Sequence, residues 1–332
     1  MSSLDLGDLH KTRPHLFADA LEMLVLFENQ GPYSPTDAWG LIGQSPPSEE
    51  NVIAENEDDI DGDDEEDDKS TADLTKERQN DVAAVFSLFE WRARAFGGAY
   101  PFEINQQGNL VRRPVSPGHA TYAFLLCCAR LRTVGNAATR TYLAARFEEL
   151  CAIALSSLGT AQSTVIQFGA GTPQRAALGT DMRVAIPALA SLLGTQTNPH
   201  WTEGEETAQG DGGMDLLLAT SLDDQDGERM TLVAQCAACE KEADWYEKVP
   251  QAKRGLNRRI HLQHPPANAI FIPGAYRGSD GKWPVANMSH NVLILDRLRI
   301  MQGIEQLDVT DAQCLGWLSN APGISDLIVA AF

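Results

Sequence analysis

GDGGMDLLLATSLDDQDGERMTLVAQCA, residues 210–237, is the stretch on which the fold turns. Its two apolar runs, DLLLAT from Asp215 and TLVAQCA from Thr231, are short and bounded by glycine and acidic turn residues, which predicts two neighbouring strands. Gly212 and Gly213 let the chain turn sharply just before the first strand, and let a backbone or a phosphate approach closely. Asp215 then stands at the mouth of one strand and Gln235 on the next.

Working outward, STVIQFGA from Ser163 and NAIFIP from Asn268 read as further strands. A short helix from Ala243 to Val249, stopped by Pro250, separates the last two runs. Upstream, RFEELCAIALSSLG from Arg146 belongs to an amphipathic helix, with Gly159 as its expected C-cap. An extra helix and a polar loop fill Gln174 to Gln209, and NVLILDRLRIMQ begins as a strand and turns helical. The order is helix, strand, strand, strand, helix, strand. The first half is mainly helical: LFADALEMLVLF from Leu16, a helix from Asn80 to Phe96, a hairpin around Gly108, and HATYAFLLCCARLR from His119. The expected class is α+β, a mainly helical N-terminal half followed by an αβββαβ core. The expected divisions are a helical segment over 1–45, an acidic disordered linker over 46–78, a helical region over 79–140 and the sheet-bearing domain over 141–332.

Composition narrows the functions. The 332 residues are 43% hydrophobic, ample for a core, and no run reaches the roughly 20 apolar residues of a membrane span. The start, Met1 to Thr12, is polar, and apolar settings for Cys127, Cys128 and Cys151 suit a reducing compartment, so a cytoplasmic protein is expected. Cys236 and Cys239 make one C-x-x-C with no completing pair for zinc. The formal charge of -20 opposes a general attraction to nucleic acid, but thirteen acidic residues fall between Glu49 and Asp68. Lys248, Lys253, Arg254, Arg258 and Arg259 gather later, where a DNA-facing surface can be built.

GDGGMD followed by VAQCA resembles the G-D-G-G-x-D and Q-x-K pair of the Mrr-like restriction endonucleases, within the PD-(D/E)xK nuclease superfamily. The resemblance runs from Arg146 to Pro273, and the order of elements is similar to the restriction-endonuclease-like αβββαβ core. It implies a metal-dependent DNA endonuclease, the effector of a bacterial restriction or anti-phage system. Asp215, Gln235 and Glu148 would be its ligands for Mg²⁺ or Mn²⁺. Mg²⁺ is held by few carboxylates plus waters, so this donor set suits it. The expected partners are DNA, a separate ATPase or sensor subunit and a second copy of the chain, with no membrane.

Plain readings stand beside these. Asp-Gly pairs form ordinary turns, a glutamine is an ordinary polar strand residue, and Glu148 or Glu149 suits a solvated helix face. The family pattern also places lysine two residues after the glutamine, where this chain has Ala237. That lysine orients water and stabilises transition-state charge. Lys248, on the helix after the third strand, is the expected replacement, with Lys241 as the other candidate. The alternative is a catalytically degenerate nuclease fold that binds nucleic acid or a partner without cutting.

Overall fold

The computed structural model describes residues 14–27, 32–42, 71–201, 212–222, 227–238, 242–283, 291–324 and 331–332. The first half holds α1 (Pro14–Phe27), α2 (Pro35–Ile42), α3 (Thr71–Phe96), the hairpin β1 (Phe102–Ile104) and β2 (Leu110–Arg112), and α4 (His119–Ala129). The second half begins with α5 (Ala137–Ser156), β3 (Ser163–Gln167), α6 (Pro173–Leu178), α7 (Met182–Leu192) and β4 (Gln196–Thr197). It continues through β5 (Leu216–Thr220), β6 (Met230–Cys236), α8 (Glu242–Arg259), β7 (Ile260–His261) and β8 (Ala267–Phe271), then β9 (Leu293–Leu295), α9 (Arg297–Gln302) and α10 (Leu307–Ser319). The protein is α+β, as its patterning predicts.

The main sheet runs β3-β5-β6-β8-β9. The first three strands are antiparallel, while β6–β8 and β8–β9 are parallel. Parallel neighbours need a crossover, and α8 supplies the one from β6 to β8. LLLAT is apolar at successive positions because helices cover both faces of the sheet. Leu216 and Leu218 enter one core with Phe147, Leu150 and Cys151 of α5, while Leu217 and Ala219 enter another with Ile186 and Leu189 of α7 and Leu256 of α8. The first of these cores also takes in Phe17, Phe89 and Phe124, so the N-terminal helices and the sheet share it.

Three local expectations change. α8 does not stop at Pro250 but continues to Arg259. A proline inside a helix removes one backbone bond, and here Ala252 and Leu256 beyond it are wholly buried, which holds the helix in place. Gly159 is not a left-handed cap: α5 ends at Ser156 with Ser157 as its C-cap, and a Cβ on Gly159 would fall 2.7 Å from Ser163 Cβ, so the glycine serves a close approach of helix end to strand. Residues 71–78 of the expected acidic linker belong to α3, whose helix begins at Thr71; residues 46–70 lie outside the described residues.

One cluster of charge is buried among the helices. Asp19 and Glu22 of α1, Arg92 of α3 and Arg297 of α9 are all within 1% of complete burial. Arg297 Nη2 donates to Asp19 Oδ2 at 2.8 Å, and Arg92 Nη1 lies 2.8 Å from Asp19 Oδ1 and 2.7 Å from Glu22 Oε1. Tyr100 and Tyr122 donate to the two oxygens of Glu22, at 2.7 and 2.9 Å. Burial and the charge of Glu22 raise both phenols, so each keeps its proton and remains a donor. Burial alone would push the Asp19 carboxyl up; Arg297 and Arg92 more than reverse it, and it lies below its ordinary value.

Removing one partner of such a cluster leaves a charge without compensation. Arg297→Met is therefore expected to lower the unfolding free energy in urea by about 3–5 kcal/mol. The contribution of Asp19 holds above the ordinary carboxylate range and is lost as pH falls through its lowered folded value. An Arg297→Met protein as stable as the parent would show that the cluster does not hold the helices.

Candidate active site

The turn before β5 is fastened to α8. Gly212 and Gly213 have φ of 66° and 80°, a left-handed backbone that glycine adopts without strain. The Gly212 carbonyl lies against Gly255, a Cβ on Gly213 would fall 3.3 Å from Gln251 Cβ, and one on Gly212 would fall 2.7 Å from Arg259 Nη1. Gln251, Gly255 and Arg259 recur at helical spacing, so a single face of α8 receives the turn. Arg259, read from sequence as part of a DNA-facing surface, is instead buried at 8% exposure, with Nη1 donating to the Gly255 carbonyl at 3.0 Å. The turn then delivers Asp215, which is 7% exposed, to the end of the sheet. Its Oδ2 accepts a 2.7 Å hydrogen bond from the Cys236 amide on β6.

Glu148 arrives from α5. A Cβ on Gly169 would fall 2.6 Å from Glu148 Oε2, so the glycine makes room for this carboxylate. Gly169 N and Phe168 N both donate to the Asp215 carbonyl, at 3.0 and 2.7 Å. Glu148 and Asp215 thus meet around one short stretch of backbone after β3. Glu149, the neighbouring candidate in sequence, is taken up by Arg146 on the α5 surface. Behind the two carboxylates lie the buried thiols of Cys151 and Cys236, hydrogen-bonded to each other. Burial pushes both thiols up, and the charges of Asp215 and Glu148 push them further. The thiols are therefore neutral.

Gln235 follows Ala234, which pairs with Leu216, so it stands beside Asp215 across the strands. Val233 and Ala237, two residues to either side, both pack on the face of the sheet that α8 covers, and strand alternation puts Gln235 there too. Gln235 is 7% exposed, and its Oε1 has no hydrogen-bond donor among the described residues. A buried amide oxygen left without a donor is costly, and a cation satisfies it. Among the described residues no three Asp, Glu, His or Cys side chains form a metal cluster; the oxygens that this end of the sheet offers are the Asp215 and Glu148 carboxylates and the Gln235 amide. That set fits a hard, oxygen-seeking divalent ion.

Ala237 is fully buried against Ile270, Ile272 and Ile294. A lysine there would have to carry its ammonium through apolar packing. Lys248 lies one turn before Gln251 on the face of α8 that receives the glycine turn, and is half-buried. No hydrogen bond or ion pair ties it to a described carboxylate. Lys241 and Cys239 lie outside the described residues. Sequence reasoning did not find Gly169, Cys151 or Arg259 as supports. For Gly169 the glycine-rich FGAG was a signal, whereas nothing local marks the other two.

Comparison of the chain with protein-family models, with curated proteins and with solved structures finds no match.

Because Asp215 accepts from the Cys236 amide, Asp215→Ala is not silent for folding. It strands a buried N–H and is expected to cost about 1–3 kcal/mol in urea denaturation, with Asp215→Asn costing clearly less because it keeps an acceptor. Equal stabilities for the two variants would remove the structural role of that hydrogen bond.

Proposed function

We propose that the protein is a metal-dependent DNA endonuclease of the PD-(D/E)xK type, with Asp215, Glu148 and Gln235 holding Mg²⁺ or Mn²⁺. What supports the reading is that α5, the turn before β5, and β6 bring Glu148, Asp215 and Gln235 to one end of the sheet, where the buried Gln235 amide oxygen has no donor among the described residues. The order α5, β3, β5, β6, α8, β8 supports it. A bound Mg²⁺ supplies Lewis acidity toward the scissile phosphate and the attacking water. The two carboxylates contribute the negative charge that fixes such an ion, and Gln235 adds a neutral oxygen. The Cys236 amide orients Asp215, as outer hydrogen bonds orient metal ligands generally. Lys248, on the α8 side, offsets charge that develops on the phosphate. In the wider reading the chain is the cutting effector of a bacterial restriction or anti-phage system, acting on DNA beside a separate ATPase or sensor subunit.

Ala237 favours a second reading, a nuclease fold that binds nucleic acid or a partner without cutting, since its methyl group is part of an apolar cluster rather than a gap left by a lost lysine.

Supercoiled plasmid separates the two. The first reading expects nicking or linearisation with Mg²⁺ or Mn²⁺, stopped by chelator and abolished in Asp215→Asn. Lys248→Ala should slow cutting by about 100-fold or more while leaving plasmid retention on a gel unchanged. Retention without cutting in either metal supports the binding role, and neither retention nor cutting contradicts both readings.

A further inference from the structure

We propose that a groove on the flank of α8 binds a nucleotide, its phosphate on Lys253, Arg254 and Arg258, and its base on Asn268. The groove lies between α8 and the starts of β8 and β9, and encloses about 630 Å³. That volume is within the roughly 300–1,000 Å³ of small-molecule sites. Lys253, Arg254, Asn257 and Arg258 share one flank of the helix, turned away from the face that holds the glycine turn; Val249, Pro250, Asn268 and Asn291 complete the lining. No described carboxylate pairs with Lys253 or Arg254. In a chain of net charge -20, a run of cations along one concave surface selects an anionic ligand.

Asn268 says what else the ligand must carry. The side chain is 8% exposed, and its Nδ2 donates to the Val249 carbonyl at 2.7 Å. A carbonyl only accepts, so that bond fixes which way the amide faces. Oδ1 is left as an acceptor with no donor among the described residues. The ionised oxygens of a phosphate cannot serve it, being acceptors only, and a single P–OH held among these cations would have to turn from them to do so. The ligand therefore joins an anionic group to a hydrogen-bond donor, as a nucleotide does through its phosphate and the amine or ring N–H of its base. Asn291, with φ of 62°, is the one non-glycine residue at positive φ among the described residues, a conformation that asparagine tolerates better than most. The proposal stands apart from the reading of Asp215, since the groove is on another flank of α8 and uses none of the three metal donors.

Calorimetric titration of the full chain tests it, with AMP, GMP and CMP, with purine riboside 5′-monophosphate, which lacks the amine of AMP, with inorganic phosphate, and with a ten-nucleotide single strand. At least one of the three natural nucleotides, or the strand, should bind at least about tenfold tighter than phosphate or the purine riboside compound, the effect of one good hydrogen bond. The paired substitutions Lys253→Ala and Arg254→Ala should weaken that binding by a similar factor with an unchanged melting temperature. Binding of mononucleotides identifies a free nucleotide as the occupant; binding of the strand alone identifies a nucleotide within a polynucleotide. Phosphate bound as tightly as any nucleotide, as expected if a lone water serves Asn268, overturns the proposal. So does binding unchanged by the double substitution, or no binding of any probe. None of these outcomes bears on plasmid cutting at Asp215, so the two proposals fail separately.

Discussion

Two arginines and two carboxylates stand at the junction of α1, α3 and α9 with no access to water, and the arrangement of the rest follows from keeping them together. Arg297 is the first residue of α9, two residues after the end of β9, and its Nε donates to the Pro273 carbonyl just beyond β8. The same side chain reaches Asp19 on α1. Through it the N-terminal helices are tied to the parallel edge of the sheet. Next to it Asp296, wholly buried, caps α9 through the Arg299 amide and pairs with Arg277 at 2.7 Å. A buried ion cluster is weak evidence for stability in itself, because desolvation offsets much of its attraction. Its effect is on uniqueness: any other packing of α1 would strand a charge in the core.

The candidate site relies on a second constraint of the same kind, close approach without room for side chains. Gly212, Gly213 and Gly255 let the β5 turn press on α8, and Gly169 lets Glu148 press on the backbone beside Asp215. Gly255 excludes a Cβ outright, and Gly169, Gly212 and Gly213 leave little room for one, so α5, the turn before β5, and β6 are fixed closely against their neighbours. A hydrolytic metal site needs this, since small displacements of its ligands are costly. The neighbouring thiols of Cys151 and Cys236 are kept neutral mainly by burial, and the two negative charges nearby disfavour a thiolate further.

The strand runs around Asp215 and Gln235 announced themselves because five-residue apolar stretches bounded by glycine have few other homes, and the helices by their apolar spacing. The order of elements around the sheet was therefore readable. What a linear pattern could not reveal was distance. Arg259 looked like one of five basic surface residues, yet it is spent on the glycine turn, and only the three-dimensional path of α8 shows this. Pro250 carries a local rule against helix, which the burial of Ala252 and Leu256 overrides. Asp19 and Glu22 were a missed signal: two carboxylates three apart in an otherwise apolar helix are more often paired in a core than solvated. Ala237 was noticed as a departure, but its apolar surroundings, which make it part of the packing, depend on β8 and β9.

The central claim is that Glu148, Asp215 and Gln235 form one divalent-cation site. Titration of Mn²⁺ into the full chain, followed by the loss of the free-ion resonance in electron paramagnetic resonance, addresses it without requiring catalysis. The account predicts saturable binding that weakens by about tenfold or more in Gln235→Leu and in Glu148→Gln alike, as loss of a metal-orienting group does. Mn²⁺ affinity the same in both variants as in the parent, or no saturable binding in the parent, would contradict it.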